Sequence, residues 1–199
     1  AIRTYRLDRQ ICEIEVGFRR PLDKTRAYKR IGELGQKLAV GLLEIPGVVT
    51  IEYNSPSEVS VRISMAITWL SVEPMIVEVV RVTLLGGDPV VSYKQPKELR
   101  LIVEQFPNER IREFHTNQLI SELSIYDHKS LLGEEDRVRD FAKIGDLGRK
   151  LVDQIVAVEG VNEFYLEPYS VTIELEKGRL WTPELKERIR QIIISTLQK

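Results

Sequence analysis

Few residues of this chain combine the side-chain types and the spacing that catalysis or metal binding requires. The 199 residues include one cysteine, Cys12, and two histidines, His115 and His128. One cysteine forms neither an intrachain disulfide nor a cysteine-based metal cage. Neither histidine has a second histidine or a cysteine at ligand spacing, and no phosphate loop, G-x-S-x-G or H-E-x-x-H motif is present. We therefore predict a protein that is not an enzyme, with no catalytic residue, no cofactor and no metal site of its own.

The single cysteine lies in ICEIEV, an alternation of apolar and charged residues that is typical of a β-strand. Cysteine is among the residue types most often buried. We predict that Cys12 is a small buried apolar residue and not a reactive thiol.

Two glycines stand three positions apart in GELG, at 32–35, and again in GDLG, at 145–148. Glycine inside a helix costs about 1 kcal/mol relative to alanine, so two such pairs indicate a structural reason. We favour close packing, with Gly35 and Gly148 facing the sheet or the opposing helix. The alternatives are a break between two helices and a contact with a phosphate.

Charge is balanced over the chain but not along it. The net charge is −1, whereas residues 1–30 hold nine bases and four acids. We interpret this segment as a solvated edge, with an anion-binding patch as the alternative. The apolar runs are too short to span a bilayer, and AIRTYRLDRQ has no signal-peptide core. The sequence therefore predicts a cytoplasmic protein with no membrane association.

The glycine pairs belong to a longer repeat. Residues 31–48 and 144–161 share eight identities in 18 positions, well above the one or two that composition alone gives. The identical pairs are Ile31/Ile144, Gly32/Gly145, Leu34/Leu147, Gly35/Gly148, Lys37/Lys150, Leu38/Leu151, Gly47/Gly160 and Val48/Val161. With one residue deleted further on, Val59 aligns with Val171 and Trp69 with Trp181. Two copies of this length indicate a tandem duplication of a domain and not a solenoid.

Each copy has the same predicted elements. An apolar stripe, Leu34 to Ile45 in the first copy and Leu147 to Val158 in the second, predicts a helix. Two alternating runs predict a β-hairpin after it. A second helix follows each tryptophan, and Thr182 and Pro183 have the residue types favoured at a helix start. We interpret the two tryptophans as anchors of this second helix on the sheet.

These elements predict an α+β protein with two tandem duplicated domains. Each is a small, mainly antiparallel sheet with two helices packed on one face. The domains are predicted at 1–88 and 97–199, with a junction at 89–96 and an insertion near 107–133. Strands are also predicted ahead of the first helix of each copy, at 10–18 and 98–106, and the insertion is expected to add one or two strands or a short helix.

The G-x-x-G segment between two helical runs resembles the KH nucleic-acid-binding module, in which such a loop clamps phosphates. The resemblance covers roughly residues 12–64 and part of the second copy. Here, however, Glu33 and Asp146 lie inside the loops, and a carboxylate repels phosphate. Lys29 and Arg30 partly compensate in the first copy, and Lys143 in the second. A tandem KH-like nucleic-acid binder is therefore the disfavoured alternative.

The run from LAVGLLEIPGV through the hairpin to the tryptophan resembles the N-terminal domain of the Nfu/NifU-type iron–sulfur scaffold proteins. IVAVEGV, SVTIELEK and WTPELKERI of the second copy resemble it too, so the two matches cover roughly 31–84 and 144–197. The cluster ligands of that family lie in a separate C-x-x-C domain, and this sequence has no such motif. The resemblance implies a fold and a cellular pathway, but not cluster binding.

We therefore expect a non-catalytic scaffold or adaptor with a protein partner, linked by resemblance to iron–sulfur cluster biogenesis. The KH-like nucleic-acid binder is one alternative. A pair of regulatory domains that sense a small molecule is another.

Overall fold

The computed structural model describes residues 1–92, 96–128 and 144–198. It has the predicted α+β class, with two compact units of antiparallel sheet and helix. The units are Ala1–Gln95 and Pro96–Lys199, so their boundary lies within the predicted junction. None of the described helices is long and apolar enough to cross a membrane.

The first unit has a sheet of four strands in the order β1-β4-β3-β2, with every neighbouring pair antiparallel. Its elements are β1 Ile2–Arg6, β2 Val16–Arg19, α1 Arg26–Arg30, α2 Gly32–Glu44, β3 Val48–Ser55, β4 Glu58–Ile63 and α3 Trp69–Leu84.

The second unit has a sheet of five strands in the order β5-β6-β9-β8-β7, also antiparallel throughout. Its described elements are β5 Leu101–Gln105, β6 Ile111–Thr116, β7 Ile125–His128, α4 Gly145–Val156, β8 Val161–Glu167, β9 Ser170–Leu175 and α5 Pro183–Leu197.

The strands of the two sheets are paired in the same register, so that residues at equivalent positions lie opposite each other in both units. Tyr5 of β1 lies opposite Val59, and Phe114 of β6 lies opposite Val171. The hairpins agree as well, because Ile51 pairs with Val61 and Phe164 with Ile173. At the other edge, β2 pairs with β3 and β7 with β8. The predicted order of helix, hairpin and helix is confirmed in both units, while common origin by duplication stays a prediction.

One face of each sheet is covered by helices, and alternation along the strands explains why. Ile51 and Tyr53 are buried on either side of exposed Glu52, and Val61 and Ile63 are buried on either side of exposed Arg62. Successive strand residues point to opposite faces, so the buried set faces the helices and the charged set faces outward. We use the term open face for the side of each sheet that carries the charged set.

The apolar stripe of α4 starts later than predicted. Leu151, Ile155 and Val158 are buried, but Leu147 is exposed. The buried residue in the first turn is Gly148, so this turn contacts the rest of the unit through a glycine. At the start of α5, the predicted cap is confirmed: the amide of Leu185 donates to Thr182 Oγ1 at 3.2 Å, and Pro183 begins the helix.

The strand predicted at 10–18 is mostly a loop, and this prediction was wrong except at its end. Ile11 and Cys12 precede β2, and the Ile11 amide donates to the Pro56 carbonyl at 2.6 Å. The hairpin turn thus takes the backbone hydrogen bond that a strand partner would have taken. The charged start of the chain forms β1 instead, an edge strand that the sequence analysis missed.

The predicted insertion near 107–133 contains β6 and β7, and residues 129–133 lie outside the described part of the chain. By register, β6 and β7 take the places that β1 and β2 hold in the first unit. The strand that has no counterpart among the described residues of the first unit is β5, which pairs with β6 at the sheet edge.

Candidate functional site

The first glycine of each pair permits the backbone to turn into a helix. Gly32 and Gly145 both have φ of +75°, a conformation that side chains other than glycine rarely adopt. In the first unit this turn separates α1 from α2 at Ile31. A Cβ added to either glycine would meet no atom within 4 Å, so the backbone there is accessible.

The second glycine of each pair is buried in the first turn of the helix, where it faces a loop and not the sheet or the opposing helix that we predicted. A Cβ on Gly35 would lie 3.0 Å from the Ile11 carbonyl oxygen. A Cβ on Gly148 would lie 3.5 Å from the equivalent carbonyl oxygen of Ile120. Both helices therefore approach a loop closely, and the approach is tighter in the first unit.

The basic residues near the first glycine pair line a shallow cleft of about 460 Å³. Lys29 and Arg30 are exposed at the end of α1, beside Gly32. Glu13 and Glu33 line the same cleft, so its charges of opposite sign are close together. Lys143, the base expected near the second pair, lies outside the described residues.

Helix α3 exposes large apolar residues on its outer side, in addition to the apolar residues that it buries on its inner side. Val72, Ile76 and Val79 are buried, but Leu70 and Val77 are 88% and 52% exposed. Large apolar residues that cluster on an exposed surface mark interaction sites more often than scattered ones do. This helix is the strongest candidate for an interaction surface in the part of the chain that the structure describes.

A groove of about 500 Å³ runs between α3 and residues 88–92 of the same unit. Its apolar lining includes Met75, Val79 and Val82 of α3 and Pro89, Val90 and Val91 of the segment that follows.

Two acidic residues, Glu78 and Asp88, also line this groove, and both are paired. Arg81 donates to Glu78 at 2.7 Å and holds the pKa of that carboxyl below its usual range. Lys37 Nζ of α2 lies 3.0 Å from Asp88 Oδ1, so an ion pair connects residues 88–92 to α2. The groove is therefore lined by apolar side chains, and the two carboxylates at its edge are paired with basic side chains.

The equivalent helix of the second unit has a charged outer side. Ile189 and Thr196 of α5 are buried, as Ile76 and Thr83 of α3 are. In that alignment the places of Pro74, Met75 and Val82 are taken by polar residues. These residues are Glu187, Arg188 and Ser195, and all three are exposed.

The two tryptophans contact equivalent strands. Trp181 donates from Nε1 to the Arg110 carbonyl at 2.8 Å, and its ring centroid lies 5.7 Å from that of Phe114 on β6. The guanidinium of Arg3, on β1, lies 4.9 Å from the centroid of the Trp69 ring. Arg3 also pairs with Glu73, one turn further along α3. The start of each last helix is thus connected to the strand beside it.

Cys12 has the environment of a structural residue. Its side chain is 3% exposed, and its thiol donates to the Ile14 carbonyl at 3.2 Å. Burial raises the pKa of the thiol and so disfavours the nucleophilic thiolate. By register the second unit has Ser121 at this place, and its hydroxyl donates to the Leu123 carbonyl at 2.6 Å.

One group of ionisable residues was not found from the sequence. Glu104 of β5 and Glu113 and His115 of β6 each offer one ligand atom, and these atoms lie within 4.8 Å of one another. The signal that the sequence did contain is Glu113-x-His115, since residues two apart in a strand share a face. The third residue, Glu104, could be assigned to the group only from the pairing of β5 with β6. His128 ends β7, and its side chain lies outside the described part of the structure.

Comparison with known proteins adds no assignment to these sites. No protein-family model matches the chain, and no curated protein matches it.

Proposed function

We propose that this protein is a non-catalytic scaffold or adaptor that binds a partner protein through the outer side of α3. The observation that carries the proposal is the exposure of Leu70 and Val77 on a helix whose inner side is already packed. Burial of apolar surface contributes about 25 cal/mol per Å² removed from water, so covering these side chains favours association.

The shape of the surface favours an apolar segment of a partner. The same helix also borders the groove formed with residues 88–92, which is lined mainly by aliphatic side chains and does not include Leu70 or Val77. Amphipathic helices bind such grooves with residues spaced three and four apart. Glu78 and Asp88 are already paired, so a partner need not supply a charge to neutralise them.

The link to iron–sulfur cluster assembly rests on the resemblance to the Nfu/NifU-type N-terminal domain. In support of it, the two matching regions each form a helix, a hairpin and a second helix. Since one fold serves many functions, this part of the proposal needs a partner from that pathway.

The test uses the full chain and a variant with two added charges, Leu70→Glu with Val77→Glu. The matched control, Gln191→Glu with Ser195→Glu, adds the same charges to the outer side of α5. Proteins that the wild type and the control retain from a cell extract, and that the α3 variant does not, are then purified for affinity measurement. We expect the α3 variant to weaken binding about 30-fold or more, because a central apolar contact contributes about 2 kcal/mol.

Two outcomes would contradict the proposal. One is an equal set of retained proteins for the wild type and the α3 variant, with both folded by circular dichroism. The other is a purified partner whose affinity falls in the control and not in the α3 variant. If the retained protein is the chain itself, light scattering at rising concentration identifies a self-association that the α3 variant abolishes.

A second candidate, nucleic-acid binding, is favoured by one observation. Exposed Lys29 and Arg30 lie beside Gly32, whose backbone is accessible at the start of α2. A helix start attracts anions, and phosphate contacts give affinity that falls steeply as salt concentration rises. Single-stranded RNA and DNA binding would be measured between about 50 and 200 mM salt. The variant Lys29→Glu with Arg30→Glu would be compared with Lys24→Glu and Arg26→Glu, bases of the same segment that do not line the cleft.

A further inference from the structure

We propose that Glu104, Glu113 and His115 form a binding site for one divalent metal ion, and that Zn²⁺ is the ion it fits best. The site lies at the edge of the second unit's sheet, on the open face, where β5 pairs with β6. This inference is independent of the surface proposed on α3.

Strand register brings the three side chains together. Glu104 of β5 lies directly opposite Glu113 of β6, and His115 follows Glu113 by two residues. Phe114, between them, is fully buried on the helix side, so all three side chains point to the open face. His115 Nε2 lies 3.0 Å from Glu104 Oε2, and His115 Nδ1 lies 3.6 Å from Glu113 Oε1.

The charges of this arrangement favour a cation. Two carboxylates that lie directly opposite each other on neighbouring strands repel and destabilise the pair. Here they also flank an imidazole that is only 8% exposed, and the Glu113 side chain is 16% exposed, so solvent screens the Glu113 carboxylate poorly. A divalent ion neutralises both carboxylates.

The donor set favours Zn²⁺ over other common divalent ions. Zinc accepts imidazole nitrogen and carboxylate oxygen at about 2.0–2.2 Å, and three protein ligands leave a fourth position open. Magnesium and calcium prefer oxygen ligands alone. The two carboxylates contact opposite ring nitrogens of His115, so an ion bound at one nitrogen is reached by the second carboxylate only after that glutamate side chain rotates. The ligand atoms of the three residues already lie within 4.8 Å of one another.

The first unit supplies an internal comparison. By register, Thr4 and Arg6 of β1 take the places of Glu113 and His115. Arg6 pairs with Glu58, so a cationic side chain already balances the carboxylate there. The strand that carries Glu104 has no counterpart among the described residues of that unit. The proposed site therefore belongs to the second unit alone.

The experiment is a calorimetric titration of the full, tag-free, metal-stripped chain with ZnCl₂, and in parallel with MnCl₂ and MgCl₂, at neutral pH. The wild type should bind one Zn²⁺ per chain, more tightly than Mn²⁺ and with no detectable Mg²⁺ binding. Glu104→Gln, Glu113→Gln and His115→Gln should each weaken Zn²⁺ binding by more than the roughly 10–100-fold that the loss of an outer partner costs. His128→Gln removes the only other histidine and should leave the affinity unchanged.

A second control, Glu163→Gln, removes one carboxylate from β8 on the same open face and should also bind Zn²⁺ like the wild type. Circular dichroism checks that each variant is folded, and Glu104→Gln keeps the test valid if a change at buried His115 prevents folding. The proposal is overturned if the wild type binds no Zn²⁺, or if Glu104→Gln binds it as tightly as the wild type. Zn²⁺ binding that is unchanged in Glu113→Gln and in a folded His115→Gln also overturns it.

Discussion

The two units pair their strands in one register, but they differ in how their outer helices meet solvent. Ile76 and Thr83 of α3 coincide with Ile189 and Thr196 of α5 as buried residues. On the outer side, α3 exposes Leu70 and Val77, whereas α5 exposes Glu187 and Arg188. The units also differ where their two long helices pack against each other. Residues 88–92 approach α2 and α3 at Gly41, and the same position of α4 carries Gln154. The shared core is thus compatible with two different outer surfaces.

The comparison of α3 with α5 distinguishes residues that pack the core from residues that are available to contact a partner. Positions that agree between the units, such as Ile76 with Ile189, face the sheet and satisfy packing. Positions that differ, such as Val82 and Ser195, lie outside the core, where the fold does not dictate the residue type. An apolar residue at such a position is the more informative, since water would otherwise favour a polar one.

The largest effect is expected at Gly41. A Cβ there would lie 2.6 Å from Pro89 Cγ and 2.8 Å from Val79 Cγ1, so Gly41→Ala should destabilise the first unit by about 1–3 kcal/mol through overpacking. Gln154→Ala is the matched control in the second unit and should change stability by about 0.5 kcal/mol or less. Each unit contains one tryptophan, so urea unfolding followed by fluorescence in Trp181→Phe reports on the first unit and in Trp69→Phe on the second. Stabilisation by Gly41→Ala would show that residues 88–92 do not pack on α2.

The glycines inside the first helical turn should rank by their distance from the neighbouring loop. Gly35→Ala should cost about 1–2 kcal/mol, because the new Cβ lies 3.0 Å from a backbone oxygen. Gly148→Ala should cost less, since its nearest neighbour is the Ile144 side chain at 3.2 Å. The same fluorescence-detected urea midpoints measure both. A gain in stability at either position, as helix propensity alone predicts, would indicate that glycine is kept there for contact with a ligand such as phosphate.

A smaller, pH-dependent effect should distinguish the units through Tyr53, whose place in the second unit is taken by Leu166. The Tyr53 hydroxyl donates to the Gly35 carbonyl at 2.7 Å, and burial raises its pKa above the usual 10.0. Because the folded-state pKa is raised, its contribution to stability is present below pH 10 and is lost as the unfolded chain ionises at higher pH. Tyr53→Phe should cost about 1 kcal/mol at neutral pH and reduce the alkaline loss in the first unit. An unchanged alkaline slope in Tyr53→Phe would contradict this assignment.

The smallest effect is expected at Cys12. Ser121 makes the equivalent side-chain hydrogen bond in the second unit, so Cys12→Ser should change stability by less than about 1 kcal/mol. Thiol-specific labelling of the native wild type should be slow, because the thiol is buried and its pKa is raised. Fast labelling of the folded protein, or a large loss of stability in Cys12→Ser, would make this cysteine more than a packing residue.

Local patterns in the sequence were sufficient for the helix, hairpin and helix of each unit. The stripe from Leu38 to Ile45, the glycine after it and the cap at Thr182 are signals carried by neighbouring residues, and the structure confirms each element. The strands ahead of these helices were harder to place. Alternation placed a strand over 10–18, yet Ile11 and Cys12 form a loop because the hairpin turn at Pro56 binds their backbone.

The sequence by itself determined the α+β class and the repeated order of elements, because period and capping act within a few residues of each other. The tertiary structure alone decided that β6 and β7 take the places of β1 and β2. It also decided that Glu104 lies opposite Glu113, and that Pro89 lies next to Gly41. These contacts join residues that are distant in the chain, so they depend on strand register and on the path of a loop, which no local pattern encodes.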